Sequence, residues 1–336
     1  MRPGKATALG ESGGTPPAST IVRERVHDHD RSGRERIAFV TTSWPANEGD
    51  PAGHFVRAHA RELERCGSEV VVVTPRLGGA FGWPGVAARL RSRPVRALDA
   101  ARWVIAARRQ VVRLAPNRIV AHWAVPSGWP IGITARVPLQ VVSHGGDVRL
   151  LAALPGLGRH AIVRTLATQA TSWSFASEAL LRELLNALDG PTRALVARVA
   201  VIQSPALEIP NVAAAISQLR RDLGTARVAV CVARLVRSKR VDRVIEYVAQ
   251  TDALNMLVVV GDGPERPRLE RLARDRRVNA RFVGAVSRRD ALAWIGSAQV
   301  LVHASETEGL STVVREAVAL GTRVVRLAPH ASLARL

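Results

Sequence analysis

From Ile37 onward the chain alternates short β-branched apolar runs with longer amphipathic stretches, and it does so in two rounds. That alternation is the mark of βαβ units around a parallel sheet, because neighbouring parallel strands need a crossover long enough to hold a helix. The first round offers strands at 37–44, 69–75, 118–123, 139–144, 171–176 and 200–204. After residues 211–224 the pattern restarts, with strands at 227–235, 257–261, 281–284, 299–303 and 323–327. Between the first two runs, Phe55, His59 and Leu63 interlace with Val56 and Ala60 at helical spacing, and Gly67 follows as a C-terminal cap. An α/β fold of two Rossmann-like domains is predicted, with a hinge near 205–225.

At 336 residues the chain is long enough for two cores of ordinary size. We place the boundaries at 36–205 and 206–336. Residues 1–35 are rich in Gly, Ser, Pro, Arg and Asp with few large apolar side chains, the composition of a disordered tail. The net charge of +20 favours polyanions: nucleic acid, an anionic membrane surface or phosphorylated substrates. Aromatic residues total only 4%, and no helix-turn-helix or RNA-recognition pattern appears, which counts against specific nucleic-acid binding. Cys66 and Cys231 stand far apart without zinc-ligand spacing, and both read as buried thiols in a reducing cytosol. No apolar run approaches the roughly eighteen residues of a membrane span, and the start lacks the apolar centre of a signal peptide. A cytoplasmic protein, peripheral on the inner face of the membrane, is the expectation.

Ligands of open parallel sheets gather beyond the carboxyl ends of the strands. The unusual polar and glycine residues of this chain fall at those ends. Gly53 follows the first strand, where a missing Cβ lets backbone approach a phosphate. The absence of further glycines at dinucleotide spacing disfavours NAD. His144, Gly145, Gly146 and Asp147 end the fourth strand, and His122 with Pro126 and Gly128 ends the third. Arg234 ends the first strand of the second round and Lys239 follows five residues later, and paired cations there can grip a diphosphate. Gly261 to Pro264 form a tight strand-to-helix turn with no catalytic role assigned. Glu308 and Glu316 flank a helix start whose exposed amides at 310–312 can receive a phosphate, while the carboxylates can accept from sugar and ribose hydroxyls.

The segment Glu308-Gly-Leu-x5-Glu316-Ala-x-Ala-x-Gly321 resembles the E-x7-E signature of the family 4 retaining glycosyltransferases, which have the GT-B fold of two Rossmann-like domains facing across a cleft. Arg234 and Lys239, the strand ending in Gly261-Asp-Gly-Pro264, the opening loop with Gly53, His122-x-x-x-Pro-x-Gly128 and His144-Gly-Gly-Asp147 follow in the family's order. The resemblance spans about residues 37–325. It implies a nucleotide-sugar donor held by the second domain, a sugar or lipid-linked acceptor held by the first, and transfer with retention. Glu308 would contact the donor sugar and Glu316 the ribose. Gly309, Leu310 and Ser311 would meet the donor, and Arg234 with Lys239 would neutralise its diphosphate. His144 would sit near the anomeric carbon, and Asp147 would hold the acceptor or orient its loop. No cofactor is expected, and with no DxD-like acidic cluster the two cations stand in for a metal. Ser311 replaces a frequent glycine, Gln299 an acidic residue, and 204–208 the usual interdomain loop.

The resemblance also implies further elements after the strand at 323–327, so the second domain is expected to be incomplete. Three rivals remain: an inactive truncated glycosyltransferase, a sugar-nucleotide epimerase of the same architecture, and a basic nucleic-acid-binding α/β protein.

Overall fold

Every β-branched run of the two rounds forms a strand, and all strands pair in parallel. The structure is a computed structural model that describes residues 34–47, 50, 53–76, 78–81, 86–205, 207–305 and 311–327. Residues 1–33 of the expected tail, the sites at Glu308, Gly309 and Leu310, and the chain end from 328 lie outside the described residues, whereas Glu35, placed in the tail, accepts from Arg118 of the third strand at 2.8 and 2.9 Å and belongs to the folded body.

The first sheet holds β1 (Arg36–Val40), β2 (Glu69–Val73), β3 (Arg118–His122), β4 (Leu139–Ser143), β5 (Ala170–Phe175) and β6 (Ala200–Ile202), in the order β2-β1-β3-β4-β5-β6. Ile37, Ala38, Phe39 and Val40 are all fully buried, because helices cover both faces of the sheet. Alternation along the strand divides them. Ile37 and Phe39 pack with Val56 and Ala60 of α1 (His54–Arg65), whereas Ala38 and Val40 join the core that includes Ala107 and Val111 of α3 (Ala97–Leu114). Between α1 and α3 comes α2 (Val86–Ser92). The sheet is completed by α4 (Gly146–Ala153), α5 (Gly156–Gln169), α6 (Glu178–Asn186) and α7 (Gly190–Val199). Gly67, with φ 94°, takes the left-handed turn that follows α1.

The second sheet holds β7 (Val228–Val232), β8 (Met256–Val260), β9 (Ala280–Gly284), β10 (Val300–His303) and β11 (Arg323–Arg326), in the order β11-β10-β7-β8-β9. One face, with Ala229, Cys231 and Leu257, packs on α9 (Val241–Ala249) and α10 (Arg266–Asp275). The other, with Val228, Val230 and Val258, packs on α8 (Ala213–Leu223), α11 (Arg288–Ser297) and α12 (Thr312–Ala319). The hinge predicted near 205–225 therefore contains a helix of the second sheet: Ile216 lies against Gly296, and Arg220 donates to the Gly296 carbonyl at 2.7 Å.

One expectation about the thiols is corrected. Cys231 is buried on β7, and burial pushes its thiol up to about 12, but Cys66 is exposed. It stands at the C-terminal cap of α1, after the last apolar position of that helix, and turns outward before Gly67. Among the described residues no helix is long and apolar enough to cross a membrane.

Candidate active site

Strand order selects two crevices. β1 is flanked by β2 and β3, and β7 by β8 and β10, so at each point successive crossovers leave in opposite directions and the carboxyl ends of the strands part. The predicted site residues that are described lie at these two openings.

At the second crevice, Arg234 lies just beyond β7 with an exposed side chain, and Lys239 is half-buried in the helical turn Arg237–Lys239. Burial, then the charges of Arg234 and Arg149, lower the Lys239 amine to about 8. His303, the last residue of β10, stands in register with Arg326 of β11. Burial, then Lys239 and Arg326, lower its imidazole to about 4. Cations from the ends of β7 and β11 thus crowd one another around a neutral His303 at the end of β10, and Arg149 adds a further cation from α4 of the first half. Such crowding is relieved by a bound polyanion.

A pH dependence follows. Without a bound anion Lys239 keeps its proton only below about 8. A bound diphosphate favours the ammonium and raises that value, so binding takes up a proton wherever the free amine is neutral. Calorimetry of a nucleoside diphosphate in buffers of differing ionisation enthalpy should show proton uptake near about pH 8.5, where the ligand is fully ionised, and net release near about 6.5, where the terminal phosphate of the ligand gives up its own proton, with affinity falling as pH rises past about 8. Identical protonation at both pH values would contradict the assignment.

At the first crevice, Asp147 is buried, and its carboxylate accepts from the amides of His144 and Gly145, both at 3.1 Å, and of Ala124 at 2.8 Å. Both oxygens are engaged by backbone amides, which ties the 144–147 loop to the turn after β3. The loop needs Gly145, whose φ is 113°. His144 is half-buried, with the rings of Phe55 and Trp123 each 4.8 Å away between centroids. Burial outweighs the nearby Asp147 charge and lowers its imidazole to about 4, so it is neutral at pH 7.

The two halves meet at His54 and Glu316. Gly53, with φ 71°, precedes α1, and a Cβ there would come within 2.2 Å of the Ser43 carbonyl oxygen. This contact alone requires a glycine. The next residue, His54, brings Nε2 to 3.4 Å from Oε1 of Glu316 on α12. Arg288 of α11 donates to the same oxygen from Nη2 at 2.9 Å and Nε at 3.2 Å. Glu316 is buried, and desolvation raises its carboxyl against the opposing pull of Arg288. Ser311 is buried just ahead of α12.

Arg149, Arg288, His303 and Arg326 escaped the sequence reading because no linear motif marks them. They join the site only through strand adjacency and helix packing. The neighbouring strand-end positions of β7, β10 and β11 were the available signal.

Residues 217–333 match the model of the family Glycosyl transferases group 1. The chain is 24% identical over 324 residues to TuaC of Bacillus subtilis (strain 168), assigned as a glycosyltransferase of teichuronic acid biosynthesis, with 86% of this chain and 80% of that one covered. Its fold is similar to that of Anabaena HepE in complex with UDP-glucose, with TM-score 0.59 and 18% identity over 87% of this chain and 80% of that one. It is also similar to sucrose-phosphate synthase from Thermosynechococcus elongatus, with TM-score 0.62 and 20% identity over 87% and 81% of the two chains. The chain therefore has the two-domain GT-B architecture of those structures, and its residues 217–333 are similar to the glycosyl transferases group 1.

Proposed function

We propose that this chain transfers a sugar from a nucleotide-sugar donor to a hydroxyl acceptor with retention of anomeric configuration, in glycolipid or polysaccharide synthesis. The observation that carries the reading is the crowding of Arg234, Lys239, His303 and Arg326 at the β7/β10 crevice. The donor-bound form of HepE and the pathway of TuaC support it.

In this reading Arg234 and Lys239 bind the diphosphate and stabilise it as it departs, which is catalysis as well as binding. Glu316 meets the ribose, and Glu308 meets the donor sugar beside Gly309, Leu310 and Ser311. The bond from C1 to the diphosphate oxygen breaks first, giving oxocarbenium character. The acceptor oxygen joins C1 from the same face, and its proton passes to the departing diphosphate. A neutral His144 suits that step. A full positive charge about 4 Å from the developing cation would cost roughly 4 kcal/mol at an effective dielectric near 20. The two cations do the neutralising that a metal does elsewhere.

A thermal-shift panel of UDP-, GDP- and ADP-sugars tests the donor, since a ligand of the native state stabilises it by mass action. One base should stand out, transfer should persist with a chelator, and the product should keep the donor's anomeric configuration. No stabilisation by any nucleotide sugar would sink the reading.

The acceptor is proposed to be lipid-linked, met at an anionic membrane surface. Leu98, Ile105 and Val112 are 58%, 52% and 56% exposed at heptad spacing on α3, with Arg102, Arg109 and Arg113 exposed beside them. An apolar stripe edged by arginine suits an interface with anionic headgroups. Co-sedimentation with anionic liposomes should occur at low salt, weaken at high salt, and drop when Leu98, Ile105 and Val112 become serine. Absence of low-salt binding would point to a soluble acceptor.

A further inference from the structure

Three histidines from three elements of the first half form one connected line. His59 of α1 places Nδ1 2.9 Å from Nε2 of His122, and His122 of β3 places Nδ1 2.9 Å from Nε2 of His144. His122 is 2% exposed, while His59 and His144 are half-buried at the two ends. Phe39 walls the line, 4.8 Å from the His122 ring and 5.7 Å from that of His59. The nitrogens face each other in pairs rather than converging on one point, which is hydrogen bonding and not a metal site.

Protonation is settled by burial first. His59 and His122 are both lowered, and His144 falls to about 4. The charged groups felt by the line are Glu62 and Arg118 at the His59 end and Asp147 at the His144 end. Near neutral pH each ring therefore carries one N–H. With one proton per ring and one needed in each gap, only two arrangements satisfy both bonds. Either all three rings are Nε2–H, with donation running from His144 towards His59, or all three are Nδ1–H, with donation reversed.

The ends choose between them. Asp147, the negative charge at the inner end, already accepts three backbone amides. At the outer end His59 turns Nδ1 to His122, and Glu62, one turn along α1 on the same face, is the leading charge on the ring, so the proton is favoured on the remaining Nε2. We propose that His122 and His59 are positioning residues that hold His144 as the neutral Nε2–H tautomer, leaving its Nδ1 lone pair to accept a hydrogen bond from a sugar or acceptor hydroxyl. The role at the hydroxyl rests on the glycosyltransferase reading, but the tautomer does not. A neighbour that fixes which nitrogen is protonated also fixes what the other can do.

The test is nitrogen-15 NMR of the imidazoles in the full chain near pH 7. All three histidines should show a protonated Nε2 and an unprotonated Nδ1. In His122→Phe, which keeps a ring in the core but removes both bonds, His144 should become a mixture of tautomers. The turnover number should then fall by on the order of ten- to a hundredfold, the scale set by partners that orient a working imidazole, with the donor KM unchanged. His59→Leu provides a second variant at the half-buried end, where folding is under less threat; it removes the acceptor of the His122 N–H and should shift the His144 tautomer in the same direction. A protonated Nδ1 on His144 in the unaltered chain, or a His144 tautomer unmoved in both variants, overturns the proposal. The expected tautomers with no sugar transfer from any nucleotide donor would leave the line standing and remove the glycosyltransferase reading instead.

Discussion

Replacing Lys239 with alanine should weaken nucleoside-diphosphate binding by about ten- to a hundredfold, and Arg234→Ala should act in the same direction. A hydrogen bond to a charged group contributes roughly 1.5–3 kcal/mol, and each 1.4 kcal/mol is a factor of about ten in affinity. The sign on stability should be the opposite. Lys239 is crowded by Arg234 and Arg149 and is partly desolvated, so its charge is unfavourable in the ligand-free protein at neutral pH. The melting temperature of free Lys239→Ala should therefore hold or rise while the shift produced by ligand shrinks. Calorimetry and thermal melts on the same samples measure both. Unchanged diphosphate affinity in both variants would remove the donor site from the β7/β10 crevice.

The largest effect on folding is expected at Gly261. It follows β8 with φ 127°, and a Cβ there would lie 2.0 Å from the Ala233 carbonyl oxygen and 2.9 Å from its carbon. Both contacts are with backbone, so no side-chain rotation relieves them. The turn is also stitched to the loop that carries the cations. The Leu235 amide donates to the Asp262 carbonyl at 2.9 Å, and the Glu265 amide to the Leu235 carbonyl at 3.0 Å. Gly261→Ala should cost more than about 3 kcal/mol, combining the clash with a disfavoured backbone conformation. At this size that corresponds to a melting temperature lower by on the order of 10 °C. The variant should also lose diphosphate affinity, because Ala233 to Leu235 must move and Arg234 moves with them. Gly67→Ala is the control: φ is 94° but nothing lies within 4 Å, so only the conformational penalty remains. Equal melting temperatures for the two variants would show that the contact at Ala233 is not rigid.

The strands were legible because a parallel strand buried on both faces must be a β-branched apolar run, whatever its neighbours. Their ends were not. The reading carried the first strand to Trp44 and the seventh to Leu235, whereas β1 stops at Val40 and β7 at Val232. The polar residues beyond are loops at the site. The helix α8 was taken into the hinge because none of its residues is fully buried, and its attachment to Gly296 depends on a distant element. Among site residues, those in strand-end motifs could be named from sequence, as Arg234, Lys239 and His144 were. Arg288 could not, since its link to Glu316 spans 28 positions and depends on how α11 lies on α12. The histidine line is similar, joining residues 63 and 22 positions apart. His122 alone gave no signal beyond that of an ordinary strand-end residue.

The adjacency of β7 and β10 also bears on how the chain folds. β7, β8 and β9 are sequential neighbours and can pair through local crossovers, but β10 returns across the intervening helices to lie on the far side of β7. Loop closure over that stretch must precede any gain from the pairing, so it belongs among the late and slow contacts. The crevice proposed to take the diphosphate does not exist until then. Folding monitored by a fluorescent nucleoside diphosphate should accordingly lag behind the growth of helical circular dichroism, and an arrested chain lacking β10 would expose the flank of β7 as an open edge, prone to pairing with another copy.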